Sequence, residues 1–213
     1  GSVHGVIVDI LADVHGGGGE LAFKLGILGK QKVVVLQFHG EEVPGSLNVG
    51  DTRLPEQRED VTLNDGYVTQ TVQLIFADKV SNVSIDGYGT IDGRGSTFKK
   101  LAPTDEGITR PHLLRFIQSQ DITIRNITMR NSGCWMQHFL ACDRVKIDGV
   151  TIYNRNNYNN DALDLDGCHN VVVSNLISDS DDDGITLKST SPRLCENITI
   201  SNCVVSTFCN AIK

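Results

Sequence analysis

The stretch Asn160-Asp-Ala-Leu-Asp-Leu-Asp-Gly-Cys-His-Asn-Val-Val-Val-Ser-Asn-Leu-Ile-Ser-Asp-Ser-Asp-Asp-Asp-Gly184 decides the fold. It contains three short apolar segments, Ala162-Leu-Asp-Leu165, Val171-Val-Val173 and Leu176-Ile177, separated by polar turns. Each segment is too short for a helix and rich in β-branched or alternating residues, as strands are. The Val171-Val-Val173 run reads as core. The flanking Asp161 and Asp181-Asp-Asp183 read as carboxylates that face water, a cation or a task, because crowding acids is costly otherwise.

The same three-segment unit recurs on both sides. Asn170-Val-Val-Val-Ser-Asn175 has counterparts in Asn82-Val-Ser-Ile-Asp-Gly87, Asp121-Ile-Thr-Ile-Arg-Asn126, Arg144-Val-Lys-Ile-Asp-Gly149 and Asn197-Ile-Thr-Ile-Ser-Asn202. The closing residues lie 39, 23, 26 and 27 positions apart. A second apolar segment follows each: Thr90-Ile91, Ile127-Thr-Met129, Val150-Thr-Ile152, Leu176-Ile177 and Val204-Val205. The third recurs as Leu113-Leu-Arg-Phe116, His138-Phe-Leu-Ala141, Ala162-Leu-Asp-Leu165, Gly184-Ile-Thr-Leu187 and Asn210-Ala-Ile212. Three short strands per repeat predict stacked coils, an all-β parallel β-helix. Asn and Gly at the strand ends suit left-handed corners.

Residues 76–213 are expected to form this helix. Residues 1–75 are expected to form a β-rich N-terminal cap or the first coils, with strands at Leu21-Ala-Phe-Lys-Leu25, 32–38 and Val61-Thr-Leu63 and a turn at Gly16-Gly-Gly-Gly19. No signal peptide is visible, and Gly1-Ser2 reads like the residue of a cloning junction. The chain stops at Asn210-Ala-Ile-Lys213 in mid-coil, which implies a longer natural protein or an open coil packing on another chain.

With 213 residues and 21 glycines, the composition suits one turn-rich domain. A formal net charge of −7 without a basic stripe argues against nucleic acid as a partner. No apolar run approaches membrane-spanning length, so no membrane partner is expected. The six cysteines, at 134, 142, 168, 195, 203 and 209, lack CxxC spacing, so no metal is expected. Buried free thiols are favoured over a disulfide framework, with Cys142 and Cys168 at matching places in successive coils. Asp179-Ser-Asp-Asp-Asp-Gly184 begins like a calcium loop, but its closing position holds Thr190 instead of Glu, and no helices flank it. Asn82-Val-Ser84, Asn126-Ile-Thr128 and Asn197-Ile-Thr199 match glycosylation acceptors at positions the repeat already explains.

Asp161 precedes one third-segment strand and Asp182-Asp183 precede the next. Neighbouring strands run about 4.8 Å apart, so three carboxylates gather at one end of one sheet. Close carboxylates split their pKa values, which suits one acid and one base; the alternative is a solvated Asp-rich turn. Asp164 and Asp166 alternate with Leu163 and Leu165 and are expected to face outward, binding substrate hydroxyls or solvated. Asp179 and Asp181 read as turn residues. Lys188 either meets an acidic sugar or pairs with the aspartates. His138 is a core histidine or a substrate ligand, and Arg110 and Arg193 are weaker candidates of that kind.

Asn159-Asn-Asp-Ala-Leu-Asp164, followed by Asp182-Asp-Gly-Ile185 and Lys188, resembles glycoside hydrolase family 28, the polygalacturonases and rhamnogalacturonases. In the family's asparagine–threonine–aspartate motif, Asn160 replaces the threonine. Gly87-Tyr-Gly-Thr-Ile-Asp-Gly-Arg-Gly95 and Ser132-Gly-Cys-Trp-Met-Gln-His138 are similar to its earlier coils, and the resemblance covers about 74–213. It implies a right-handed parallel β-helix of the pectin-lyase-like solenoid type and a cofactor-free inverting hydrolysis of α-linked pectic bonds by a secreted or periplasmic enzyme. Asp182 would be the general acid, with Asp161 and Asp183 positioning and deprotonating the water. Asn159, Asp164, Lys188 and His138 would contact a pectic polysaccharide or oligosaccharide. The family's glycine–histidine–glycine and arginine-x-lysine motifs are not found in this chain. A catalytically inactive carbohydrate-binding or structural β-helix, a fragment of a longer pectinase and a calcium-dependent lyase therefore remain as alternatives.

Overall fold

The computed structural model describes residues 73–97 and 110–213, together with the strand backbones β1 (Leu21–Leu25), β2 (Val34–Phe38) and β3 (Ser46–Val49). The Gly16–19 turn, the 61–63 strand and residues 32–33 lie outside the described residues. The three repeated segments form three sheets. The first holds β5 (Ser81–Asp86), β8 (Gln120–Arg125), β11 (Asp143–Asp148), β14 (His169–Ser174) and β17 (Glu196–Ser201), parallel and in chain order. The second holds β6 (Thr90–Asp92), β9 (Thr128–Arg130), β12 (Thr151–Asn154), β15 (Ile177–Ser180) and β18 (Val204–Thr207). The third holds β4 (Gln73–Asp78), β7 (His112–Ile117), β10 (Gln137–Leu140), β13 (Leu163–Asp166) and β16 (Ile185–Lys188). The result is a parallel β-helix, and Ile212 extends its third sheet by one bridge to Ile185.

Among the described residues, antiparallel pairing appears only with the N-terminal strands: β1 pairs β2, β2 pairs β5, and β3 pairs β4. β3 has no counterpart among the expected strands, because Ser46-Leu-Asn-Val49 is too short and polar to announce itself.

Like stacks on like, coil after coil. Ile122, Val145 and Val171 are in register in the first sheet, and Phe116, Phe139 and Leu165 in the third. The Phe116 and Phe139 rings lie parallel with centroids 5.6 Å apart. A single coil exposes its apolar face above and below, so stacking supplies the core. Val172 corrects the expectation of an all-core valine run: Val171 and Val173 point inward, while Val172 faces out and is 42% exposed.

The corners explain the turn residues. Asn82, Asp121, Arg144, Asn170 and Asn197 all adopt positive φ near the start of their strands. Asn126, Asn175 and Asn202 do so after them, with Gly87 and Gly149 taking the same place in other coils. The third corner uses Lys79, Gln118, Ala141 and Gly167. At Gly167, with φ +58, an added Cβ would come within 2.7 Å of the Arg193 carbonyl oxygen.

All six cysteines are free. Cys142 and Cys168 are buried as expected, and Cys195 continues their ladder, its thiol 3.2 Å from the Lys188 and Leu165 carbonyl oxygens.

Candidate active site

The site lies where the chain passes from the second sheet into the third. Asp161 precedes β13 and Asp183 precedes β16, one coil further on. The Ala162 amide donates to the Asp183 carbonyl at 3.0 Å, so the ladder itself fixes their separation. Buried amides hold the loop before Asp161. Asn154 donates through Nδ2 to the Asp161 carbonyl at 3.0 Å and to the Cys134 carbonyl at 3.1 Å. Asn160 donates to the Ser132 and Cys134 carbonyls at 3.1 and 2.9 Å. The residue that departs from the family motif is thus a buried brace, while Asn159, the expected substrate contact, is exposed and sits in the left-handed region at φ 51.

The three candidate carboxyls occupy unlike environments. Asp161 is 3% exposed. Burial and then the neighbouring Asp164 push its carboxyl up to about 9, against the opposing pull of Lys188. Asp183 is equally enclosed, and burial raises it, but its partners outweigh that effect. Lys213 Nζ lies 2.9 Å from Oδ2, and the Asn210 side chain and backbone amide donate to Oδ1 at 2.7 and 3.2 Å. Asp183 is accordingly held below its ordinary value and ionised. Asp182 is the most open of the three, its Oδ1 accepting the Asp183 amide at 2.8 Å. The Ser180 hydroxyl, two residues earlier, and the Thr207 hydroxyl of the next coil both donate to the Asp182 carbonyl.

Asp164 and Asp166 alternate outward as expected but are not solvated. Both are at least 99% buried. Asp164 Oδ1 accepts the Thr186 hydroxyl and lies 3.1 Å from Lys188 Nζ. Lys188 Nζ is also 3.7 Å from Asp161 Oδ2 and 3.7 Å from the centroid of the Trp135 ring. Of the two expectations for Lys188, the local salt bridge is the one observed. The two carboxylates draw its pKa upward in spite of burial. Asp166 accepts the Thr190 amide at 2.9 Å and the Thr190 hydroxyl, and is held below its usual value although burial works against this.

His138 is 1% exposed, with Nε2 3.5 Å from Asp166 Oδ2. It packs edge-on to Trp135, whose ring also stacks with His112. Burial pulls both histidines below their ordinary value, so both are neutral. Arg110 is spent on the Gly133 and Tyr158 carbonyls. Arg193 binds Asp143 and the Ala141 carbonyl, at the opposite end of the third sheet. Asp179 is a strand residue of β15 paired with Arg155, and not the turn residue expected. Trp135, Thr186, Asn154 and Asn160 escaped the sequence because their role is contact across coils, which no linear motif records.

Among the described residues, one group, Asp182, Asp183 and Cys209, brings candidate metal-ligand atoms within 4.8 Å of one another. Within that group Asp183 is already engaged by Lys213 and Asn210.

Fold and site together define a parallel β-helix whose successive coils bring aspartates together at one sheet end. Within that class the chain belongs to glycosyl hydrolases family 28, whose profile matches residues 58–208. It is 32% identical over 128 residues to a probable polygalacturonase of Vitis vinifera, covering 59% of this chain and 26% of the relative. It is 31% identical over 119 residues to exopolygalacturonase X of Aspergillus niger, covering 53% and 27%. The chain thus spans about a quarter of the length of these curated relatives. A hyperthermoactive exopolygalacturonase from Thermotoga maritima shares the fold, with a TM-score of 0.54 at 20% identity over 63% of this chain and 40% of that one.

Proposed function

We propose that this chain carries the catalytic aspartates of an inverting glycoside hydrolase acting on α-linked galacturonide or rhamnogalacturonan bonds of pectic polysaccharide, in a secreted or periplasmic setting. The observation that carries the proposal is the unlike surroundings of carboxyls on adjacent coils: Lys213 and Asn210 hold Asp183, while Asp161 is buried beside Asp164 and Lys188. Asp183, ionised by Lys213 and Asn210, is the base that takes a proton from water. Asp161, which keeps its proton at neutral pH, positions that water as a hydrogen-bond donor. Asp182, the most open, presents its carboxyl to the leaving oxygen as general acid. Inversion needs room for one water, with acid and base about 6.5–9.5 Å apart. Asn159 at the loop surface is the proposed substrate-side residue, while Asp164 and His138 are buried and Lys188 is paired with Asp164, so these three would act on substrate only through the groups they hold.

The test is reducing-sugar release from polygalacturonate and rhamnogalacturonan with Asp182→Asn as control. Loss of turnover in the variant is expected, and equal activity overturns the role of Asp182. A second reading, a carbohydrate-binding β-helix without turnover, is favoured by the internal pairing of Lys188 and Lys213 with site aspartates. Oligogalacturonide binding without product release distinguishes it.

A further inference from the structure

One ammonium, that of Lys188, stands among two buried carboxyls and an indole. Its Nζ is 3.1 Å from Asp164 Oδ1, 3.7 Å from Asp161 Oδ2 and 3.7 Å from the Trp135 ring centroid. Both carboxyls are nearly sealed from solvent, and the second oxygen of Asp164 has no hydrogen-bond partner. A single cation cannot balance two buried anions, and Asp161, the carboxyl farther from the ammonium, is the one that burial and its neighbour Asp164 keep protonated. The ammonium's position sets how strongly that proton is held. A flexible four-carbon stem does not fix a charge by itself. The indole face does, because it attracts the cation through the ring quadrupole and blocks it from swinging toward β10.

We propose that Trp135 is a positioning residue: its indole pins Lys188 between Asp161 and Asp164, making the three a unit with one labile proton beside the catalytic water. The inference rests on the hydrolase reading for its consequence in turnover, but not for its existence. Other groups also face the unit. They are Arg110 and His112 from two coils before, Cys134 and His138 from the preceding coil, Asp182 and Asp183 from the next, and Cys209 and Lys213 beyond it. None of these places a cation against Asp164 as Lys188 does.

The experiment follows the Asp161 carboxyl directly, by carbon-13 NMR titration of aspartate-labelled protein, with the resonance assigned through Asp161→Asn. Wild type is compared with Trp135→Phe, Trp135→Leu and Lys188→Met. Loosening or deleting the ammonium removes the group that draws the proton off Asp161, so its midpoint should climb in the order Trp, Phe, Leu, Met. The Trp-to-Leu step is expected to be on the order of half to one pH unit, from the usual strength of a cation–π contact. The alkaline limb of the kcat profile on polygalacturonate should move with it. An unchanged midpoint in Trp135→Leu and Lys188→Met overturns the proposal, even if kcat falls. If Trp135→Leu fails to fold, the Phe variant and the Lys188→Met titration decide the same point. A shifted midpoint in a protein that cleaves no pectic substrate upholds the unit and refutes the hydrolase reading instead.

Discussion

Asp161→Asn is expected to make the protein more stable at neutral pH while abolishing its turnover. The carboxyl is pushed to about 9 in the folded chain from an ordinary value of 3.8. A group raised in this way stabilises the fold fully below 3.8, and that contribution is lost as pH climbs toward the folded value. Some three pH units separate 3.8 from pH 7, and each corresponds to about 1.4 kcal/mol, so the ceiling at pH 7 is about 4 kcal/mol. Asp164 and Lys188 share the charge, which brings the expected difference to about 2–4 kcal/mol. Asparagine copies the neutral acid, keeping an oxygen for Lys188, and does not titrate. For a chain of this size the gain corresponds to roughly 5–15 °C in Tm. Thermal unfolding of both proteins from pH 4 to pH 9 is the assay. The curves should nearly coincide at pH 4 and diverge steadily above pH 5. A constant offset across the range, or a variant less stable at pH 8, would refute the assignment of the proton to Asp161.

Two further outcomes test the scaffold. Phe139→Ala removes a fully buried ring stacked on Phe116 and should cost about 3–5 kcal/mol in urea unfolding, with an unchanged slope. Gly167→Ala places a Cβ 2.7 Å from the Arg193 carbonyl at a left-handed φ, and should cost about 2 kcal/mol or more, whereas Asn175→Gly, at the same kind of corner, should be nearly neutral by the same measurement.

The coil architecture was legible because stacking forces chemical likeness between repeats. Ile122, Val145, Val171 and Ile198 are in register because each lies on the next, and that likeness is what a sequence exposes. The gathering of Asp161 with Asp182 and Asp183 followed from the same spacing. What a repeat cannot reveal is which outward positions are covered. Asp164 and Val172 both alternate away from the core, yet one is sealed and the other is 42% exposed. Solvation was the wrong expectation for Asp164 because the cover comes from other coils: Thr186 and Lys188 from the next, and Trp135 beside Lys188 from the one before. The short N-terminal strands were legible only in part, since antiparallel pairing onto a parallel stack leaves no periodicity to read.

Because Asp161 belongs to one coil and Asp182 and Asp183 to the next, the site has no single element to which it belongs. A β-helix frays coil by coil, its neighbour contacts being nearly independent terms. Peeling away β16–β18 would separate Asp182 and Asp183 from Asp161 while the stack beneath, with Phe116 on Phe139, stayed closed. Competence for chemistry therefore reports the docking of one coil on another, and it can vanish reversibly in a molecule that remains largely folded.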